Sequence, residues 1–137
     1  MSYLSDEDYN FIYSNSPRIC VDLVIKKGDS ILLTKRDQEP YNGFWHTPGG
    51  RIRFRETIED AIKRIAKTEV GMSVDRFNFL GVCEFLHEVQ DGNPRHSITM
   101  YYQVSGGDVC NGDFFEWLPD NTIPEQKQFI NSLNIGL

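Results

Sequence analysis

The chain has 137 residues, 39% of them hydrophobic and 25% charged, an ordinary globular composition that excludes a disordered or collagen-like polymer. Its 20 acidic and 14 basic side chains leave a formal net charge of -6, which argues against non-specific nucleic-acid binding. No apolar run approaches the roughly 20 residues needed to span a bilayer, and the opening MSYLSDEDYN lacks both regions of a secretory signal, so no membrane partner is expected. The length predicts one domain over residues 1–137. Cys20, Cys83 and Cys110, an odd count without C-x-x-C spacing, predict reduced thiols in a cytoplasmic protein.

Residues 5–15 predict a short helix, with Ser5 as its cap, acidic residues in its first turn and Pro17 beyond its end. Arg18 to Ile25, compact and β-branched, predicts a strand, KKGDS a hairpin turn, and Ile31 to Lys35 the returning strand. A loop follows over 37–43, then a short extended piece, FWHTPGG, that ends in a turn. Ile52 to Phe54 reads as a further short strand or loop. Thr57 to Val70 gives the clearest helical signal, with a Thr57–Asp60 capping pair, an apolar stripe of Ile58, Ala61, Ile62 and Ile65, and Gly71 as the stop. Phe77 to His87 and Ser97 to Val104 predict two strands joined by the turn-rich VQDGNPR, and Glu125 to Leu133 a last helix. The order of elements predicts an α+β fold of α/β/α layers.

Ten of the 14 basic residues lie between Lys26 and Lys67, which points to a local anion site in an acidic chain. One acidic residue stands out on the central helix. Laid out at about 100° per residue from Ile58, Ile62 falls at about 40°, Ile65 at about 340° and Glu69 at about 20°. A carboxylate within an apolar stripe needs an arginine partner, a raised pKa or a metal ion, unless it curls out from the last turn into solvent.

The segment Gly50 to Met72, GRIRFRETIEDAIKRIAKTEVGM, resembles the Nudix box, G-x5-E-x7-R-E-U-x-E-E-x-G-U with U a bulky aliphatic residue. Gly50, Glu56, Arg64, Glu69 and Gly71 fall in register, and Pro48-Gly49-Gly50 matches the usual entry. The resemblance implies a Nudix-like α/β/α sandwich with a mixed β-sheet. Two positions depart from the pattern: Ile65 and Thr68 stand where the box carries glutamates. The metal set that remains is Glu69 and the carbonyl of Gly49, so activation of water by several metals is weakened. Glu56 and Arg64 are expected to pair structurally.

The chain is similar, over roughly residues 4 to 118, to the GDP-mannose mannosyl hydrolases, a Nudix subgroup with a comparable loss. Glu7 to Tyr9, Ser16-Pro17, the strand around Asp22, LLTKR at 32–36, GFWHTPGGR at 43–51, GV at 81–82 and FEWL at 115–118 carry the likeness. In that family water attacks the anomeric carbon of the sugar and the nucleoside diphosphate leaves. The leaving diphosphate is neutralised by one magnesium ion and two arginines, which match Arg36 and Arg51 here. The resemblance therefore implies a cytoplasmic, Mg2+-dependent enzyme (Mn2+ as the alternative ion) acting on a small nucleotide-sugar such as GDP-mannose or GDP-glucose. Asp22 becomes a candidate to support the sugar or the cation, and Tyr9 a candidate for substrate. Tyr9 belongs to an N-terminal segment that crosses to a dimer partner in the family, which implies a homodimer.

The likeness breaks at the family's general base. A histidine preceded by a metal-binding glutamine is replaced here by Asn111 and Gly112, in a shortened loop. Asn111 offers an amide oxygen to the metal, whereas Gly112 offers no base. Asp113 and His87 are the candidate replacements, with Glu88 behind them. On a regular strand His87 shares a face with Phe85. His46 and His96 read first as structural histidines, and Phe44, Trp45, Tyr101 and Tyr102 join Tyr9 as candidates for a base-binding pocket. Two rival functions remain: a Nudix pyrophosphatase cleaving a P–O–P bond, and a module that binds nucleotide-sugars without turnover.

Overall fold

The structure, a computed structural model, describes residues 4–38 and 41–135. Its elements in chain order are α1 (Asp6–Tyr13), β1 (Arg18–Lys27), β2 (Ser30–Lys35), β3 (Trp45–His46), β4 (Gly49–Arg51), α2 (Ile58–Val70), β5 (Val74–Gln90), β6 (Asn93–Gly106), β7 (Asp113–Phe115) and α3 (Pro124–Ser132). The seven strands form one mixed sheet with the path β3-β2-β1-β6-β5, to which β4 adds against β1 and β7 against β2. The β1–β6 pairing is parallel and the others are antiparallel. This is the α+β sandwich that the order of elements predicts.

Alternation along β1 builds both sides of the sheet. Val21, Leu23 and Ile25 join Leu32 and the α2 residues Ala61, Ile62, Ile65, Ala66 and Val70 in one core. Val24, with Ile31, Leu33, Tyr101 and Ile130 of α3, belongs to a second core. The caps agree with their residues: Ser5 accepts from the Asp8 amide and Thr57 from the Asp60 amide, both at 3.1 Å. Gly71 closes α2 at φ 67, and its amide bonds the Lys67 carbonyl.

Two expectations needed correction. The hairpin arms are longer than predicted, Val74–Gln90 and Asn93–Gly106, because the reversal is confined to Asp91 and Gly92, both at positive φ. Pro94 is tolerated in β6 because the β1 pairing starts only at Ser97, leaving Pro94 on the protruding end of the hairpin. The second correction concerns His87. A bulge between Phe85 and Glu88 breaks the alternation, so Phe85 is buried while His87 is exposed.

Candidate active site

The loop from Trp45 to Glu56 is held at two places. At its far end Arg64, on α2, grips Glu56 with two hydrogen bonds, Nε to Oε2 at 2.7 Å and Nη2 to Oε1 at 2.9 Å. The same guanidinium donates to the Arg51 carbonyl at 2.8 Å, and Glu56 accepts from the Arg53 amide at 3.0 Å. Arg64 holds the Glu56 carboxyl well below the usual carboxylate range, at about 2.

The near end is held by neutral groups. Asp22, on the face of β1 opposite Val21 and Leu23, is 8% exposed. Its Oδ2 accepts from the Thr47 hydroxyl at 2.5 Å and from Gln126 Nε2 at 3.0 Å. Gln126 Oε1 in turn accepts from the Thr47 amide at 2.9 Å. Burial, with the nearby charges of Glu88 and Glu69, pushes the Asp22 carboxyl up to about 7 despite the bond from Thr47. The buried Tyr101 hydroxyl lies near enough to couple with Asp22, yet has no well-formed hydrogen-bond partner among the described residues. Gly49 faces Asp22 across the β1–β4 pair, and a Cβ there would stand 1.9 Å from Asp22 Oδ1. Only glycine lets this loop lie against the carboxylate.

These groups open onto a cleft of about 690 Å³, whose walls also include Tyr9, Arg36, Arg51 and His87. The cleft thus collects Tyr9, Asp22, Arg36, Gly49 with Arg51, and His87 from five separate stretches of chain. Its lining also includes the acidic residues Glu84, Glu88 and Glu125. Glu88 is matched by Arg18 at 3.0 Å and accepts from the Ser97 hydroxyl at 2.6 Å. Tyr9 lies between two guanidiniums of its own chain, with Arg51 at 5.7 Å and Arg95 at 5.2 Å from the ring. Arg51 also contacts the Tyr13 hydroxyl at 3.2 Å. His46 bonds Thr34 at 3.1 Å, and burial followed by the Arg36 charge lowers its pKa to about 4, so it is neutral near pH 7.

Three expected site residues stand apart from those walls. Glu69 is exposed on the last turn of α2, and partial burial of its carboxyl still raises its pKa. Asn111 donates to the Glu69 carbonyl at 3.2 Å, and its amide oxygen accepts from the Gly112 amide at 2.9 Å. Asp113 is exposed on β7 opposite Leu33. Thr47 and Gln126 escaped the sequence reading. The available signal was that Gln126 lies one turn before the buried Ile130 on the predicted last helix.

Among the described residues no three His, Cys, Asp or Glu side chains cluster closely enough to form a metal centre by themselves. The Gly49 carbonyl and the carboxylates of Asp22 and Glu69 are hard oxygen ligands. They fit a single ion of the magnesium type that takes its remaining ligands from water and phosphate.

Two arginines, a glycine-lined loop and the Asp22 carboxyl therefore line one cleft. The NUDIX domain family model matches residues 16–126. The chain belongs to the Nudix family, and the hydrolases of that family generally use a divalent metal and act on small nucleotide derivatives.

Among curated relatives, it is 32% identical over 105 residues to the low-salt glycan biosynthesis protein Agl8 of Haloferax volcanii, covering 74% of this chain and 67% of that protein. It is 36% identical over 100 residues to an ADP-ribose pyrophosphatase of Methanocaldococcus jannaschii, covering 71% of this chain and 57% of that one. Among solved structures, a MutT NUDIX hydrolase from Burkholderia pseudomallei superposes with a TM-score of 0.73 at 23% identity, over 85% of this chain and 98% of the other. The NUDIX domain of Shewanella oneidensis NrtR, solved with ADP ribose, gives 0.62 at 17% identity, over 93% and 96%. These two likenesses concern the fold alone. No helix among the described residues is long and apolar enough to cross a membrane.

Proposed function

We propose that this chain hydrolyses nucleoside diphosphate sugars, with Mg2+ as the ion and GDP-mannose or GDP-glucose as the first substrates to test. The observation that carries the reading is that Arg36, Arg51, Asp22 and the Gly49 loop share one cleft. In this reading Arg36 and Arg51 bind the diphosphate and offset the charge that develops as it leaves. Glu69 and the Gly49 carbonyl would hold the ion, with Asn111 as a candidate third ligand, and the ion would supply Lewis-acid stabilisation of the diphosphate. Asp22 orients the sugar, and Tyr9 borders the substrate. His87 and Asp113 are the candidate bases. His87 is favoured because it lines the cleft and Asp113 does not. The relatives are consistent with the substrate class: one is named for glycan biosynthesis and the other for a pyrophosphatase acting on ADP-ribose, itself a nucleoside diphosphate joined to a sugar. The reading includes a cytoplasmic homodimer, for which sedimentation of the pure protein tests the dimer.

The test is turnover of a nucleotide-sugar panel with Mg2+ in ¹⁸O-labelled water. Label in the released sugar is the expected result. Label in phosphate assigns attack at phosphorus, the reading that the pyrophosphatase relative favours. Tight binding without turnover assigns a binding module, and neither binding nor turnover removes the proposal. Glu69→Gln is expected to lose most activity and its dependence on Mg2+, and near-normal turnover in that variant removes Glu69 from the metal set.

A further inference from the structure

We infer that Gln126 is a positioning residue, whose carboxamide sets the Asp22 carboxylate and the Thr47–Gly49 loop in fixed relation to each other. The inference rests on the cleft being the reaction site. The geometry leaves one chemical solution. The Thr47 amide can only donate, so the carboxamide oxygen must face it, at 2.9 Å. The amide nitrogen is then turned toward Asp22 Oδ2, at 3.0 Å. Glutamate offers no donor in its ionised form, and methionine offers no donor and only a weak thioether acceptor. All three residues are buried, with Thr47 at 0%, Gln126 at 6% and Asp22 at 8% exposure, so water does not replace the bonds.

The backbone delivers Gln126 to this place. Trp45 donates to the Asn121 carbonyl at 2.8 Å, and Ile123 donates back to the Trp45 carbonyl at 3.0 Å. A parallel bridge pairs Trp45 with Thr122. Pro124 then starts α3, and Gln126 is its third residue, pointing at Asp22 across a separation of 104 residues. The C-terminal helix thereby braces the loop from behind, at the end opposite the Glu56–Arg64 pair. Gln126 borders the cleft, but its carboxamide is spent on Thr47 and Asp22 rather than on a substrate.

The experiment compares the full-length wild type with Gln126→Met and Gln126→Glu. It measures kcat and KM on the best nucleotide-sugar of the panel, affinity for the free nucleoside diphosphate, and the ¹H–¹⁵N resonance of the Thr47 amide. Gln126→Met is expected to lower kcat about tenfold, the scale of a hydrogen bond to a charged group. KM and nucleoside diphosphate affinity should stay within about threefold, since both arginines are untouched, and the Thr47 amide should shift upfield and lose exchange protection. Gln126→Glu keeps an acceptor for Thr47 but replaces the amide donor with a carboxyl that competes with Asp22 for one proton, so it should lower kcat while leaving the Thr47 resonance close to wild type. Wild-type kcat in Gln126→Met overturns the inference. So does a fall in kcat matched by an equal fall in nucleotide affinity and thermal stability, which describes a packing residue. If the wild type turns over no nucleotide-sugar, the reading of the cleft fails, and an unmoved Thr47 resonance in Gln126→Met then overturns the positioning role separately.

Discussion

Glu56 and Asp22 are carboxylates at opposite ends of one loop, and their environments push them in opposite directions. Glu56 meets a guanidinium in a two-point contact and is held ionised, at about 2. Asp22 is buried among a hydroxyl, a carboxamide and a glycine, and is pushed up to about 7. The first is suited to a brace, because its charge does not change across the physiological range. The second is suited to a site, because its proton is close to balance there. The family's box places the brace, while the residue that the box does not contain carries the perturbation.

The contrast can be broken from either side. The largest effect is expected for Gly49→Ala, whose new Cβ would stand 1.9 Å from Asp22 Oδ1 and 3.0 Å from the Val21 carbonyl. Asp22 cannot swing away without leaving Thr47 and Gln126, so activity should fall by about a hundredfold or more, with a loss of about 2 kcal/mol in stability. Steady-state kinetics and urea unfolding of that variant check it, and a near-native variant would mean that the loop is not held against the carboxylate. Arg64→Leu comes next. It strands a partly buried Glu56 and the Arg51 carbonyl, and should cost about 2 kcal/mol. That corresponds to a fall of roughly 8 °C in a melting scan.

A third test separates the two carboxylates by pH. Asp22 binds its proton more tightly folded, at about 7, than its ordinary 3.8. Between about pH 4 and 7 the folded chain therefore holds a proton that the unfolded chain has released, and its contribution makes stability fall as pH rises, by at most about 1.4 kcal/mol per unit. Glu56 works in the other sense: its contribution is complete above its ordinary 4.5 and is lost as pH falls toward about 2. Urea midpoints at pH 5 and pH 7 should differ in the wild type, and the difference should shrink in Asp22→Asn. An equal slope in both proteins would remove Asp22 from the titration.

Local signals were legible in the sequence because their causes lie within a few residues. The caps at Ser5 and Thr57, the stop at Gly71 and the brace between Glu56 and Arg64 all span eight residues or fewer. The β1 strand was legible for the same reason, through its compact β-branched run. The helical angle of Glu69 was also right as an angle, but α2 ends there, so the side chain is exposed where Ile62 and Ile65 are buried. The face of His87 was misplaced because a bulge is a property of a strand pair rather than of one strand. Gln126 escaped for a stronger reason. Its two partners are 79 and 104 residues away, and nothing in the helix that carries it announces them.

The parallel strand at the centre of the sheet has a consequence for how this protein can change. Neighbouring positions on β1 serve opposite masters: Val21 and Leu23 hold the long helix, while Asp22 between them looks into the cleft. A slip of one residue in the pairing with β6 would bury the carboxylate under that helix and turn two aliphatic side chains toward the cleft. Errors in folding and errors in chemistry are therefore the same error on this strand. Mutational drift that preserves the oil on one side also keeps the acid aimed on the other.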